Sequence, residues 1–102
     1  MNQAQMMQQV KKMQADMARV QEELANSTIT GVAAGNAVTL EMNGEFRCTK
    51  VSLSKEAVDP EDVETLEDLI VVAVNDAVAK VQDLSSKKMG ALTGGLKIPG
   101  MF

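Results

Sequence analysis

The chain contains no histidine, tryptophan or tyrosine, and only one cysteine and two phenylalanines among its 102 residues. Without histidine there is no Ser–His or Cys–His nucleophile and no histidine-containing zinc site. The lone Cys48 forms no internal disulfide, and a reducing compartment is the simpler setting. With Phe46 and Phe102 as the whole aromatic complement, a platform for stacking single-stranded bases is not available. The core must come from Val, Leu, Ile, Ala and Met. A core without large rings buries less area per residue, so a domain of this size gains from pooling its core with a second copy.

Long apolar stretches are also missing. The longest run, residues 69–74, is far short of the roughly 20 residues of a membrane-crossing helix. The N-terminus lacks the charged-then-apolar order of a secretory leader. Gly90 to Lys97 superficially resembles a phosphate-binding loop, but the lysine is displaced, no Ser or Thr follows it, and no strand precedes it. The acids Asp59, Glu61, Asp62 and Glu64 do not have calcium-loop spacing. These exclusions leave a cytoplasmic binding protein rather than an enzyme, with no cofactor, metal, membrane or small-molecule substrate.

What the chain does have is segregated charge. The net charge is −4, but Lys11, Lys12 and Arg19 against Asp16 give residues 1–19 a balance of +2. Residues 80–102 carry Lys80, Lys87, Lys88 and Lys97 against Asp83, a balance of +3. Between them, residues 56–76 hold eight acids and no base. Acid sits in the middle and base at both ends.

The first 25 residues, MNQAQMMQQVKKMQADMARVQEELA, place Met6, Val10, Met13, Met17, Val20 and Leu24 in alternating steps of four and three. That spacing predicts a coiled-coil-like helix, a rod on the order of 35 Å long, whose seam packs on a second helix. Residues 28–32 and 37–42 read as strands, and Asn43-Gly44 as a hairpin signal. A three-residue loop, Asn43-Gly44-Glu45, would pair Met42 with Phe46 and set Phe46 and Cys48 beside Leu40. A change of phase near Thr49–Lys50 would then bring in Val51 and Leu53. Cys48 is expected to be buried.

Asp59-Pro60 predicts the cap and first position of a second long helix, running to about Met89 with Gly90 as terminator. Its first half is apolar most of the way round, which predicts burial on several sides. The expected fold is α+β, of order α-β-β-β-α: a three-stranded antiparallel sheet flanked by two long helices. Residues 1–90 are expected to form one domain, which the readings below make a dimerisation and DNA-binding domain, and residues 91–102 a flexible tail containing Gly and Pro. Antiparallel packing of the helices would gather Lys11, Lys12, Lys80, Lys87 and Lys88 at one tip, suited to duplex DNA. A protein-binding reading stands beside this one: an adaptor or small chaperone gripping its partner with Met-lined helices and an apolar tail.

Four segments go further. The first helix, GVAAGNAVTLEMNGE, VDPEDVETLEDLIVVAVNDAVAK and KKMGALTGGLKIPGMF together resemble the YbaB/EbfC family of bacterial nucleoid-associated proteins over nearly the whole chain. The resemblance implies a tweezer-like homodimer on the nucleoid that binds double-stranded DNA and affects chromosome organisation and gene expression. It implies a DNA surface on the terminal helices: Lys11, Lys12, Arg19, Lys80, Lys87 and Lys88, with Gln5, Gln8 and Gln9 as polar contacts. The expected mechanism is phosphate neutralisation with weak sequence preference.

Overall fold

The structure is a computed structural model that describes residues 2–93. Helix α1 (Gln3–Ala25) starts with a capping box in which the Asn2 side chain accepts from the Gln5 N–H at 2.8 Å and the Gln5 side chain accepts from the Asn2 N–H at 3.3 Å. It ends at Asn26, and the Ser27 hydroxyl donates to the Glu23 carbonyl at 2.6 Å. Strands β1 (Ile29–Ala33), β2 (Val38–Met42) and β3 (Cys48–Leu53) form an antiparallel meander in that order. One 3-10 turn, Lys55–Ala57, leads to helix α2 (Val63–Thr93). The order and the antiparallel sheet are those expected from the sequence.

The β2–β3 connection differs from the expectation. It is five residues long, and Met42 pairs with Cys48 instead of Phe46. The cause is Asn43, whose side-chain oxygen accepts from both the Glu45 and Arg47 N–H groups, at 2.9 and 3.1 Å. That wraps the loop and leaves Phe46 exposed at φ 64°. The change of phase falls where it was placed: Glu41 pairs with Lys50 and Met42 with Cys48, so Thr49 is the extra residue of a bulge. Cys48 is exposed rather than buried, because β3 is an edge strand that α2 does not reach.

Helix α2 lies across β1 and β2. Ala73, Ala77 and Val81 pack on Ala33, Val38, Leu40 and Met42, forming the core. Contact is closest at Gly31, where an added Cβ would sit 2.7 Å from the Ala77 Cβ. The helix also begins later than the Asp59-Pro60 signal suggests. Asp59 instead closes a turn by accepting from Glu61 N–H at 2.9 Å, and Asp62 caps the helix by accepting from Thr65 N–H at 3.3 Å. At the other end α2 runs through Gly90 to Thr93 rather than stopping near Met89. An isolated glycine in an exposed helical turn costs only about 1 kcal/mol, too little to end it. Of the expected tail, residues 91–93 belong to α2, and residues 94–102 lie outside the described residues.

The seam of α1 is the largest departure. Only Val20 and Leu24 are buried; Met6, Val10, Met13 and Met17 are all exposed, from 55% down to 42%. The helices do run antiparallel, since Lys88 meets Glu23 while Leu92 shares a small cavity with Arg19 and Val20. They overlap only at the base of α1, however, and the first four turns project as an arm. The molecule is accordingly 70 Å long and 16 Å in its thinnest dimension. The base of the arm is fastened by the β2–β3 loop: Gly44 N–H donates to the Leu24 carbonyl at 2.7 Å. A Cβ on Gly44 would lie 2.6 Å from that of Leu24, so only glycine allows this approach.

Candidate nucleic-acid interface

On the projecting arm, Gln5, Gln8, Gln9 and Lys12 line one shallow concavity of about 460 Å³. Helical geometry turns each residue about 100° from the last, so Lys11 and Lys12 address different flanks of α1. Arg19, seven residues after Lys12, returns to the Lys12 flank. Four of the predicted positions thus share one polar surface, and Arg19 extends it toward the body.

Internal pairing separates the predicted cations. Lys11 and Lys12 form no ion pair among the described residues. Arg19 lies 3.8 Å from both Asp16 and Glu23, a loose arrangement. Lys87 contacts Asp83 at 2.9 Å with both side chains well exposed. An exposed i,i+4 pair is worth about 0.3–0.5 kcal/mol, so a phosphate can displace Asp83 at little cost. Lys88 spans the two helices, reaching Glu23 at 2.8 Å. The Lys88 hydrogen bond and charge hold the Glu23 carboxyl below the usual carboxylate range.

Lys80 is placed differently from the expected tip. Its ammonium contacts Asp76 at 2.9 Å and donates to the Thr30 carbonyl at 3.0 Å, on the outer edge of β1. Asp76 in turn accepts the Val32 N–H at 3.0 Å. The hydrogen bond from Lys80, followed by the one from Val32, depresses the Asp76 carboxyl. Together the two side chains satisfy edge groups of β1 that would otherwise invite another strand. Lys80 is a fastening of helix to sheet, about 12 Å along α2 from Lys88 at 1.5 Å per residue.

Asp76 and Glu23 were absent from the sequence-predicted site, yet they decide which lysines are free. The i,i+4 spacing of Asp76–Lys80 and of Asp83–Lys87 was a signal for two of these pairs. The Glu23–Lys88 pair, 65 residues apart, had no local signal.

The fold is a small α+β body from which one helix projects, with Gln5, Gln8, Gln9 and Lys12 on one flank and Met6, Val10, Met13 and Met17 exposed on another. Residues 1–96 match the YbaB/EbfC DNA-binding family. A nucleoid-associated protein of Pelotomaculum thermopropionicum is 52% identical over 101 residues, covering 99% of this chain and 96% of the relative. One from Chloroflexus aurantiacus is 50% identical over the full length of both chains. The crystal structure of the uncharacterized protein HP0035 from Helicobacter pylori shares the fold, with a TM-score of 0.80 at 18% identity, covering 92% of this chain and 99% of that one. The chain belongs to the YbaB/EbfC DNA-binding family of nucleoid-associated proteins.

Proposed function

We propose that two copies of this chain associate through their sheets and α2 helices and grip duplex DNA between the paired arms, with low sequence specificity. The observation that carries the DNA contact is the projecting α1, with Lys12 and three glutamines on one surface and, among the described residues, no carboxylate paired with that lysine. Lysines meeting phosphates, with glutamines as polar contacts, position a protein on DNA without reading its bases. Lys11, Lys87, Lys88 and Arg19 support this contact from neighbouring flanks.

The dimer rests on a second observation. Val51 and Leu53 lie on the same sheet face as Leu40 and Val38, their register partners, yet are 53% and 43% exposed. Helix α2 covers β1 and β2 and leaves this strip open, and Val63, Val71 and Val72 on α2 itself are also exposed. The all-round apolar first half of α2 is therefore open on one side in the single chain, and a second copy would close it. Residues 1–90 then act as one dimerisation and DNA-binding unit. Such a dimer, residing on the nucleoid in the cytoplasm, would affect chromosome organisation and gene expression.

The test is binding to unrelated duplexes at rising salt, with solution mass measured alongside. Affinity that falls steeply with salt and little with sequence supports the reading; affinity indifferent to salt overturns it. The exposed methionines of α1 favour a second reading, an adaptor or small chaperone that captures a partner chain. Apolar capture holds or strengthens with salt.

A further inference from the structure

Helices α1 and α2 meet in a fork at the foot of the arm, where two cations converge on one carboxylate. The Lys88 ammonium reaches Glu23 Oε2 at 2.8 Å across the helices, and the Arg19 guanidinium approaches Glu23 Oε1 at 3.8 Å along α1. Arg19, Val20, Glu23, Lys88, Ala91 and Leu92 line a hollow of about 180 Å³, the volume of about six waters at liquid density. The fork also continues the arm's polar surface, since Arg19 stands on the Lys12 flank about 10 Å further along α1.

Charge is held here more tightly than elsewhere on α2. Lys87 pairs within its own helix and keeps a side chain 75% exposed, whereas Lys88 is 28% exposed and tied to the other helix. Arg19 touches its other carboxylate, Asp16, only loosely at 3.8 Å. A carboxylate that offers one oxygen to each of two cations stands where a phosphate group would stand. The Lys88 hydrogen bond and charge, with a smaller contribution from Arg19, keep that carboxylate ionised at neutral pH.

We propose that this fork is a phosphate subsite of the duplex-binding surface and that Glu23 is its built-in competitor, limiting how many charges each chain gives to DNA. The inference rests on the duplex-binding reading above. A lysine already neutralised by Glu23 adds no net charge to phosphate neutralisation, so the chain binds with fewer effective contacts than its lysines would allow.

The test compares Glu23→Gln with Glu22→Gln in the full-length chain. Both remove one negative charge from the same exposed turn of α1, but Glu22 forms no ion pair among the described residues, so only Glu23→Gln releases Lys88. On a labelled generic duplex Glu23→Gln should bind more tightly. With two copies on the DNA, its slope of log affinity against log salt should be steeper than that of Glu22→Gln by about 1.8. Between about 50 and about 200 mM salt it should therefore lose about tenfold more affinity than Glu22→Gln. Adding Lys88→Gln to Glu23→Gln should return the slope to the Glu22→Gln value. Glu23 lies outside the core, so unchanged circular dichroism verifies the fold of each variant. A Glu23 that only fastens the arm would lower the melting temperature and leave the slope at the Glu22→Gln value. Equal slopes for the two glutamate variants, or a steep slope that survives Lys88→Gln, overturn the proposal and leave the duplex reading intact. Parent affinity indifferent to salt overturns the duplex reading, and the subsite with it.

Discussion

Replacing Lys12 by Gln should do something that replacing Lys80 by Gln does not. Each lysine neutralising one phosphate contributes about −0.9 to the slope of log affinity against log salt. Lys12 stands on the arm with no carboxylate partner among the described residues, whereas the Lys80 ammonium is shared between Asp76 and the Thr30 carbonyl at the edge of β1. With two arms on the duplex, Lys12→Gln should flatten the slope by about 1.8. Over a fourfold rise in salt, the variant should then lose about tenfold less affinity than the parent chain. Lys80→Gln should leave the slope unchanged and lower the melting temperature instead, because Asp76 and Thr30 lose their partner. Fluorescence anisotropy on a labelled generic duplex from about 50 to about 200 mM salt gives both slopes. If Lys80→Gln flattens the slope as much as Lys12→Gln, Lys80 leaves Asp76 for phosphate and the pairing argument fails.

Gly31→Ala should destabilise the fold by about 1–3 kcal/mol, the usual cost of overpacking, because its Cβ would meet Ala77 on α2; denaturant unfolding measures it, and a neutral result would mean that α2 sits farther from β1. Val51→Asp places a charge on the exposed sheet strip and should halve the solution mass while leaving the core, and so the circular dichroism, unchanged; an undiminished mass would move the dimer contact elsewhere. Hydrogen bonds from Lys80 and Lys88 hold the Asp76 and Glu23 carboxyls below the usual carboxylate range in the folded chain, so their contribution is present at neutral pH and is lost as pH falls through the lowered folded values. The melting temperature should drop more steeply on acidification in the parent than in an Asp76→Asn, Glu23→Gln variant. Equal drops would remove these two fastenings from the acid response.

The chain's own pattern determined both long helices, the three strands and their order. Caps, β-branched alternation and heptad spacing act over a few residues, so they mark where helices and strands form even where, as at Asp59 and along Met6 to Met17, they do not decide the cap or the packing. The Thr49 bulge was legible for the same reason, since a fixed period of two exposes a change of phase. Local rivalry among signals explains the boundary errors. Asp62 caps α2 where Asp59 also had the right chemistry, and the Asn43 side chain lengthened a loop that backbone rules alone would have kept short.

Tertiary structure alone decided which apolar and charged residues are in use. Heptad spacing says that α1 can pack along Met6 to Leu24, but only the placement of α2 shows that packing stops at Val20. Nor does the count of lysines reveal which are free. Lys80 is tied to the edge of a strand 50 residues away and Lys88 to a glutamate 65 residues away. An ion pair or an interface is a distance between groups, and a sequence fixes such distances only within a few turns of a helix.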